Sequence, residues 1–151
     1  MKLNELSPSE VFSYFEKICS IPHGSGNTGM IADYCLEFAK LHGLKARKDT
    51  SDNVVIFKVG SSGYEDCEPV ILQGHLDMVC EKEPDCDIDM SVQSIKACTD
   101  GKMVWADGTT LGADDGIAIA FILAVLASDT IAHPPIQAVL TSDEEIGMLG
   151  A

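Results

Sequence analysis

The chain has 151 residues, 46% of them hydrophobic and 23% charged, which describes about one globular domain with a real core and not a disordered segment. Ten basic residues against 24 acidic ones give a net charge of −14, which repels phosphate backbones and anionic lipid and argues against nucleic acid and membrane partners. No apolar run approaches the ~18 residues of a membrane span. The N-terminus carries no apolar signal core, and the six cysteines form no Cys-x-x-Cys pair. The expectation is a cytoplasmic protein with reduced thiols.

In chain order, Ser7-Pro8-Ser9-Glu10 reads as a helix start, with Ser7 as N-cap, Pro8 at the first helical position and Glu10 closing a capping box. Val11, Phe12, Phe15 and Ile18 follow at helical spacing, and Pro22 stops the helix near Ile21. Asn27 or Thr28 caps a second helix with Ile31, Tyr34, Cys35, Phe38 and Leu41 on its apolar face, ended by Gly43. Residues 44–49 and 53–59 read as strands, 60–68 as a turn, and 70–74 as a short buried strand. Residues 81–90 form a loop with five acids, and 95–106 a hairpin turning at Asp100-Gly101. Residues 117–126 are almost wholly apolar and read as a buried helix opening at Gly112-Ala113-Asp114; residues 136–140 read as a last buried strand. The order gives an α/β sandwich, largely one sheet with helices on its faces.

Three patterns are set aside. Gly24-Ser25-Gly26-Asn27-Thr28-Gly29 spells a dinucleotide fingerprint, but a helix and Pro22 precede it where a strand is required, so it reads as a helix-to-helix turn. Asp85, Asp87 and Asp89 imitate a calcium loop, yet Met90 and Lys96 stand where that loop needs Gly and Glu. The chain contains no Gly-x-Ser-x-Gly elbow.

Chemistry gathers in three segments. His75 and Asp77 end an apolar strand two residues apart, so they point to the same side, as an imidazole ligand and an orienting carboxylate would. Asp114 and Asp115 enter an apolar helix, which is costly without a cation, the helix dipole or water to compensate them. Asp143-Glu144-Glu145 follow the last buried strand directly. Ligands of α/β sheets collect beyond the carboxyl ends of the strands, where two of these clusters fall, and the conjunction favours metal binding.

Gly74-His75-Leu76-Asp77, Gly112-Ala113-Asp114-Asp115-Gly116 and Ser142-Asp143-Glu144-Glu145-Ile146-Gly147 resemble the three successive signatures of the M20 metallopeptidases. More narrowly, Ile21-Pro22-His23-Gly24-Ser25-Gly26-Asn27 and the segment 70–82 resemble the bacterial aminoacyl-histidine dipeptidases, also called Xaa-His or cytosol non-specific dipeptidases. The resemblance implies a zinc-peptidase-like (phosphorylase/hydrolase-like) α/β sandwich with a mixed central sheet. It implies two divalent metal ions, zinc foremost with cobalt or manganese as alternatives, and hydrolysis of Xaa-His and other dipeptides.

By position, His75 would ligate one metal, Asp77 orient it, Asp114 bridge the two metals, Glu144 act as general base and Glu145 ligate the other metal. The family bond corresponding to Asp114–Asp115 is often cis. The family site takes five protein ligands, of which His75, Asp114 and Glu145 are three; His23, His42 and His133 occupy no ligand position, and His133 reads as solvated. Residues 1–151 thus correspond to the N-terminal part of an M20 catalytic domain, with its C-terminal part and the lid domain outside the sequence. The intact protein is expected to be a homodimeric dipeptidase. The 151-residue chain itself is expected to be inactive and prone to self-association through an uncovered face or edge at residues 136–140. The alternatives are a non-catalytic α/β scaffold, or another M20 activity such as a tripeptidase or N-acyl amino acid deacylase.

Overall fold

In a computed structural model, which describes residues 2–150, a short 3-10 turn at Leu3–Glu5 precedes the first α-helix, α1 (Ser9–Cys19). Val11, Phe15 and Ile18 fall three and four residues apart and are all buried. The helix starts later than expected. Pro8 is extended (ψ 129°) and is itself the N-cap, so helical geometry begins at Ser9, and Ser7 does not cap. Helix α2 (Gly29–Leu41) buries Ile31, Ala32, Cys35, Phe38 and Ala39. Its buried stripe drifts towards Ala39, which leaves Leu41, expected on the apolar face, 82% exposed. Tyr14 meets Phe38 edge-on at 5.6 Å and ties the two helices together.

Four strands form one mixed sheet: β1 (Lys45–Lys48), β2 (Val54–Lys58), β3 (Val70–His75) and β6 (Ile136–Thr141), in the order β1-β2-β6-β3. The hairpin of β4 (Ala97–Thr99) and β5 (Val104–Ala106) stands apart from it. β1 with β2 and β2 with β6 are antiparallel, whereas β3 and β6 are parallel, joined by a crossover through α3 (Ala113–Ala127). That parallel pair positions the site. His75 is opposite Thr141, so the polar residues that follow both strands leave the sheet side by side.

Strand positions correct two expectations. β6 lies between β2 and β3 with Ile136, Ala138 and Leu140 buried, so it is neither uncovered nor an edge. β3, expected to be buried, is the edge: Val70 and Ile71 are 44% and 63% exposed, and burial is complete only at Gly74 and His75. α3 packs on α1 and β3, and its Ile119, Ala120, Leu123 and Leu126 join the core built by α1, α2 and the sheet. It is not buried all round, since Phe121 is half exposed. No helix among the described residues is long and apolar enough to cross a membrane. His133 is buried, not solvated: its N–H reaches the Ser61 hydroxyl at 2.9 Å and Nδ1 reaches the Pro134 carbonyl at 2.7 Å.

Candidate metal centre

His75 ends β3 and is almost fully buried. Its Nδ1 lies 3.0 Å from the Asp77 backbone carbonyl and 3.4 Å from the Asp77 carboxylate. A carbonyl only accepts, so Nδ1 carries a proton, and Nε2 is left facing outward, a donor when the ring is charged and a lone pair when it is neutral. Asp77 thus holds the ring chiefly through its main chain, a contact that the two-residue spacing alone does not reveal.

Nε2 faces carboxylates. Asp114 Oδ1 is 3.1 Å away and Glu144 Oε2 is 4.0 Å away. Ligand atoms of His75, Asp114 and Glu145 lie within 4.8 Å of one another. One buried imidazole and two exposed carboxylates stand close enough to share cations, which would relieve the crowding of acceptors. This donor set fits a divalent metal of the zinc class.

The elements explain why these side chains meet. Gly112, at φ +68°, turns the chain into α3, and a Cβ there would lie 2.7 Å from the Met78 sulfur. Asp114 and Asp115, joined by a cis bond, keep non-helical backbone angles, so they stand at the mouth of α3 and do not enter its regular turns. Asp115 is directed to β3, where its Oδ2 accepts the His75 N–H at 3.1 Å. Burial pushes the Asp115 carboxyl above its usual range, with Asp114 and Glu144 adding to the shift against the opposing effect of His75. Gly74 makes that contact possible, because a Cβ there would lie 2.8 Å from Asp115 Oδ2.

Asp77 is the hub of the site and is 1% exposed. Its Oδ1 accepts the Glu144 N–H at 2.9 Å; its Oδ2 accepts the Glu145 N–H at 3.2 Å and the Ser25 hydroxyl at 2.7 Å. Burial alone would raise this carboxyl. The donors, Ser25 and the two backbone N–H groups, outweigh it and hold Asp77 below the ordinary carboxylate range. Ser25 and Gly26, in a turn read from sequence as a helix connector within a stretch that resembles the dipeptidases, are therefore part of the site. The Gly26 N–H reaches Asp143 Oδ1 at 2.7 Å. The sequence signal for them was the tight Gly-Ser-Gly turn after a helix stop, which names no partner. Beside Glu145 lies an open groove of about 410 Å³, lined among others by the apolar Met78, Val79, Met90 and Ile146 and the acidic Glu81 and Glu145.

No family model matches this sequence. The chain is 44% identical over 150 residues to the cytosol non-specific dipeptidase of Escherichia coli (strain K12), covering 99% of this chain and 31% of that protein. The crystal structure of the aminoacylhistidine dipeptidase from Vibrio alginolyticus is similar with a TM-score of 0.96 and 45% identity, over 99% of this chain and 31% of that one. A tripeptidase from Staphylococcus aureus is similar at a TM-score of 0.75 and 25% identity, over 94% of this chain and 38% of its own. The chain thus spans about a third of the length of these relatives and shares with them a mixed α/β fold.

Proposed function

We propose that the protein carrying these residues is a cytoplasmic metallo-dipeptidase of the M20 type, acting on Xaa-His and broader dipeptides. Residues 1–151 are on this reading the N-terminal part of its catalytic domain; the remaining ligands, the lid and the dimer contacts belong to the rest of the protein. One observation carries it: His75, Asp114 and Glu145 converge within 4.8 Å on a chain that is 44% identical to a dipeptidase. His75 and Glu145 would hold one divalent ion each, with Asp114 between the two, zinc being the first candidate. Bound divalent cations supply Lewis acidity towards the peptide carbonyl and the attacking water.

The chain's own residues do the rest. Asp77 fixes the tautomer of His75 and, through the backbone N–H groups of Glu144 and Glu145, the turn that carries both glutamates. The Glu144 side chain is 41% exposed and 4.0 Å from His75 Nε2, at the mouth of the site, where it takes the proton of the attacking water and returns it to the leaving amine. The groove beside Glu145 receives a substrate residue, its apolar lining suiting a side chain and its glutamates attracting a free amino group.

Glu144→Gln tests the assignment in the intact protein. The amide keeps the size and the backbone contacts but accepts no proton, so metal content should stay and kcat fall by at least ~100-fold. Activity within a few-fold of the parent at full metal content would remove Glu144 from the role of base. A parent that hydrolyses dipeptides equally well after exhaustive chelation would overturn the metal reading itself.

A further inference from the structure

We propose that Ser25 is a positioning residue for the metal centre, holding the Asp77 carboxylate and, through it, both His75 and the turn at 144–145. The inference rests on the metal reading above. Asp77 is a buried anion with two oxygens to satisfy. Three of its contacts come from neighbours in the site: the Glu144 and Glu145 N–H groups and the His75 ring. The fourth, and the shortest at 2.7 Å, is the Ser25 hydroxyl, which reaches Asp77 from the connection between α1 and α2, 52 residues away in sequence.

The loop that carries Ser25 is anchored for this contact. The Ser25 N–H donates to the Met78 carbonyl at 3.2 Å, and the Met78 N–H donates to the His23 carbonyl at 3.1 Å. Gly24 therefore runs beside Met78 as a short parallel bridge, and a Cβ at Gly24 would lie 2.6 Å from Cys80 Sγ. The Gly26 N–H holds Asp143, whose φ of 54° turns the chain into the Glu144-Glu145 pair. One loop thus grips both halves of the site: the His75–Asp77 segment through Ser25, and the 143–145 segment through Gly26.

Without the Ser25 hydroxyl, Asp77 Oδ2 keeps a single donor at 3.2 Å in a place water barely enters. The carboxylate then rotates towards other donors, and both the His75 ring and the Glu145 backbone lose their fixed reference. Loss of such partners behind metal ligands typically costs 10–100-fold in affinity.

The test is zinc affinity by calorimetry in the intact protein, for the parent, Ser25→Ala, Ser25→Thr and Asn27→Ala, with thermal unfolding of each metal-free form. Asn27 lies in the same loop but donates to the Ser91 carbonyl, not to Asp77. The expected result is a ~10–100-fold loss of affinity in Ser25→Ala, recovery to within ~3-fold in Ser25→Thr, and no change in Asn27→Ala. Affinity of Ser25→Ala within two-fold of the parent would overturn the proposal, as would an equal loss in Asn27→Ala. If Ser25→Ala does not fold, Ser25→Gly, which also lacks the hydroxyl and adds no metal ligand, carries the same comparison. A parent that takes up no zinc removes the metal reading and this proposal together, whereas a parent that binds beside an unaffected Ser25→Ala removes this proposal alone.

Discussion

His23 and His75 are both buried imidazoles, and their surroundings push them in opposite directions. Burial lowers the His23 pKa, outweighing its bond to the Ile21 carbonyl and the charge of Asp77. Burial opposes the charged form of His75 as well, but the Asp114 hydrogen bond, the Asp77 carbonyl and the charges of Asp115 and Asp77 raise it overall. The sign for His23 follows from linkage. Its folded pKa is depressed, so the stabilising effect of the neutral ring is complete above the unfolded value of about 6.5 and is lost as the pH falls towards the folded value. His23→Gln removes this titration. In metal-free protein the Tm advantage of the parent over His23→Gln should therefore be larger at pH 7.5 than at pH 5.5; an unchanged difference would mean that His23 ionises freely in the fold. Asp114 makes a second case at this scale. Its side chain is 87% exposed and its charge crowds Asp115, so Asp114→Ala relieves that repulsion while giving up an exposed contact with the His75 ring, two small effects of opposite sign. Zinc affinity should drop at least ~10-fold while metal-free stability stays within ~0.5 kcal/mol or rises, measured by calorimetry and denaturant titration. Unaltered zinc binding would exclude Asp114 as a ligand.

The helices, the β6 run and the polar clusters after β3 and β6 were legible in the sequence, because apolar spacing reports which residues leave water whatever their partner is. The clusters that contain His75, Asp114 and Glu145 stand out for the same reason, each bordering an apolar run on one side, while the choice of these three as ligands rests on the resemblance to the metallopeptidases. What periodicity does not carry is pairing. β3 reads as buried, but the order β1-β2-β6-β3 makes it the edge, a fact fixed by the crossover through α3 and not by its own residues. Ser25 was missed because its partner is 52 positions away, and His133 because its backbone is tied to Ser61 in another loop, a contact no local pattern reports. The contact between β3 and α3 also yields a prediction. Gly74→Ala would place a methyl 2.8 Å from Asp115 Oδ2 and 3.0 Å from Ile119 Cδ1. Overpacking of this kind costs ~1–3 kcal/mol, so the urea midpoint should fall, and zinc affinity with it as Asp115 releases the His75 N–H. A variant with parental midpoint and affinity would show that α3 moves away freely, contrary to the tight β3–α3 seam.

Over the whole molecule, the two edges of the sheet are built differently. β1 presents Lys45, Arg47 and Lys48, all exposed, and charged edge residues of this kind discourage pairing with another strand. β3 presents Val70 and Ile71, exposed and uncharged, next to α3 with its half-exposed Phe121. Its outer backbone groups are thus an adhesive edge with no charge to guard it. Against this stands the net charge of −14, which keeps copies apart at low salt. The Debye length shrinks from about 10 Å at 0.1 M to about 3 Å at 1 M, so salt removes the repulsion while leaving the apolar edge intact. The 151-residue chain should therefore self-associate more as sodium chloride is raised, the reverse of an association held by ion pairs. Ile71→Lys places one positive charge on the β3 edge without touching the core, so it should suppress the salt-driven association and leave the unfolding free energy within ~0.5 kcal/mol of the parent. Light scattering across the salt series decides the matter: association that falls with salt, or persists unchanged in Ile71→Lys, would place the contact elsewhere on the surface and leave β3 a passive edge.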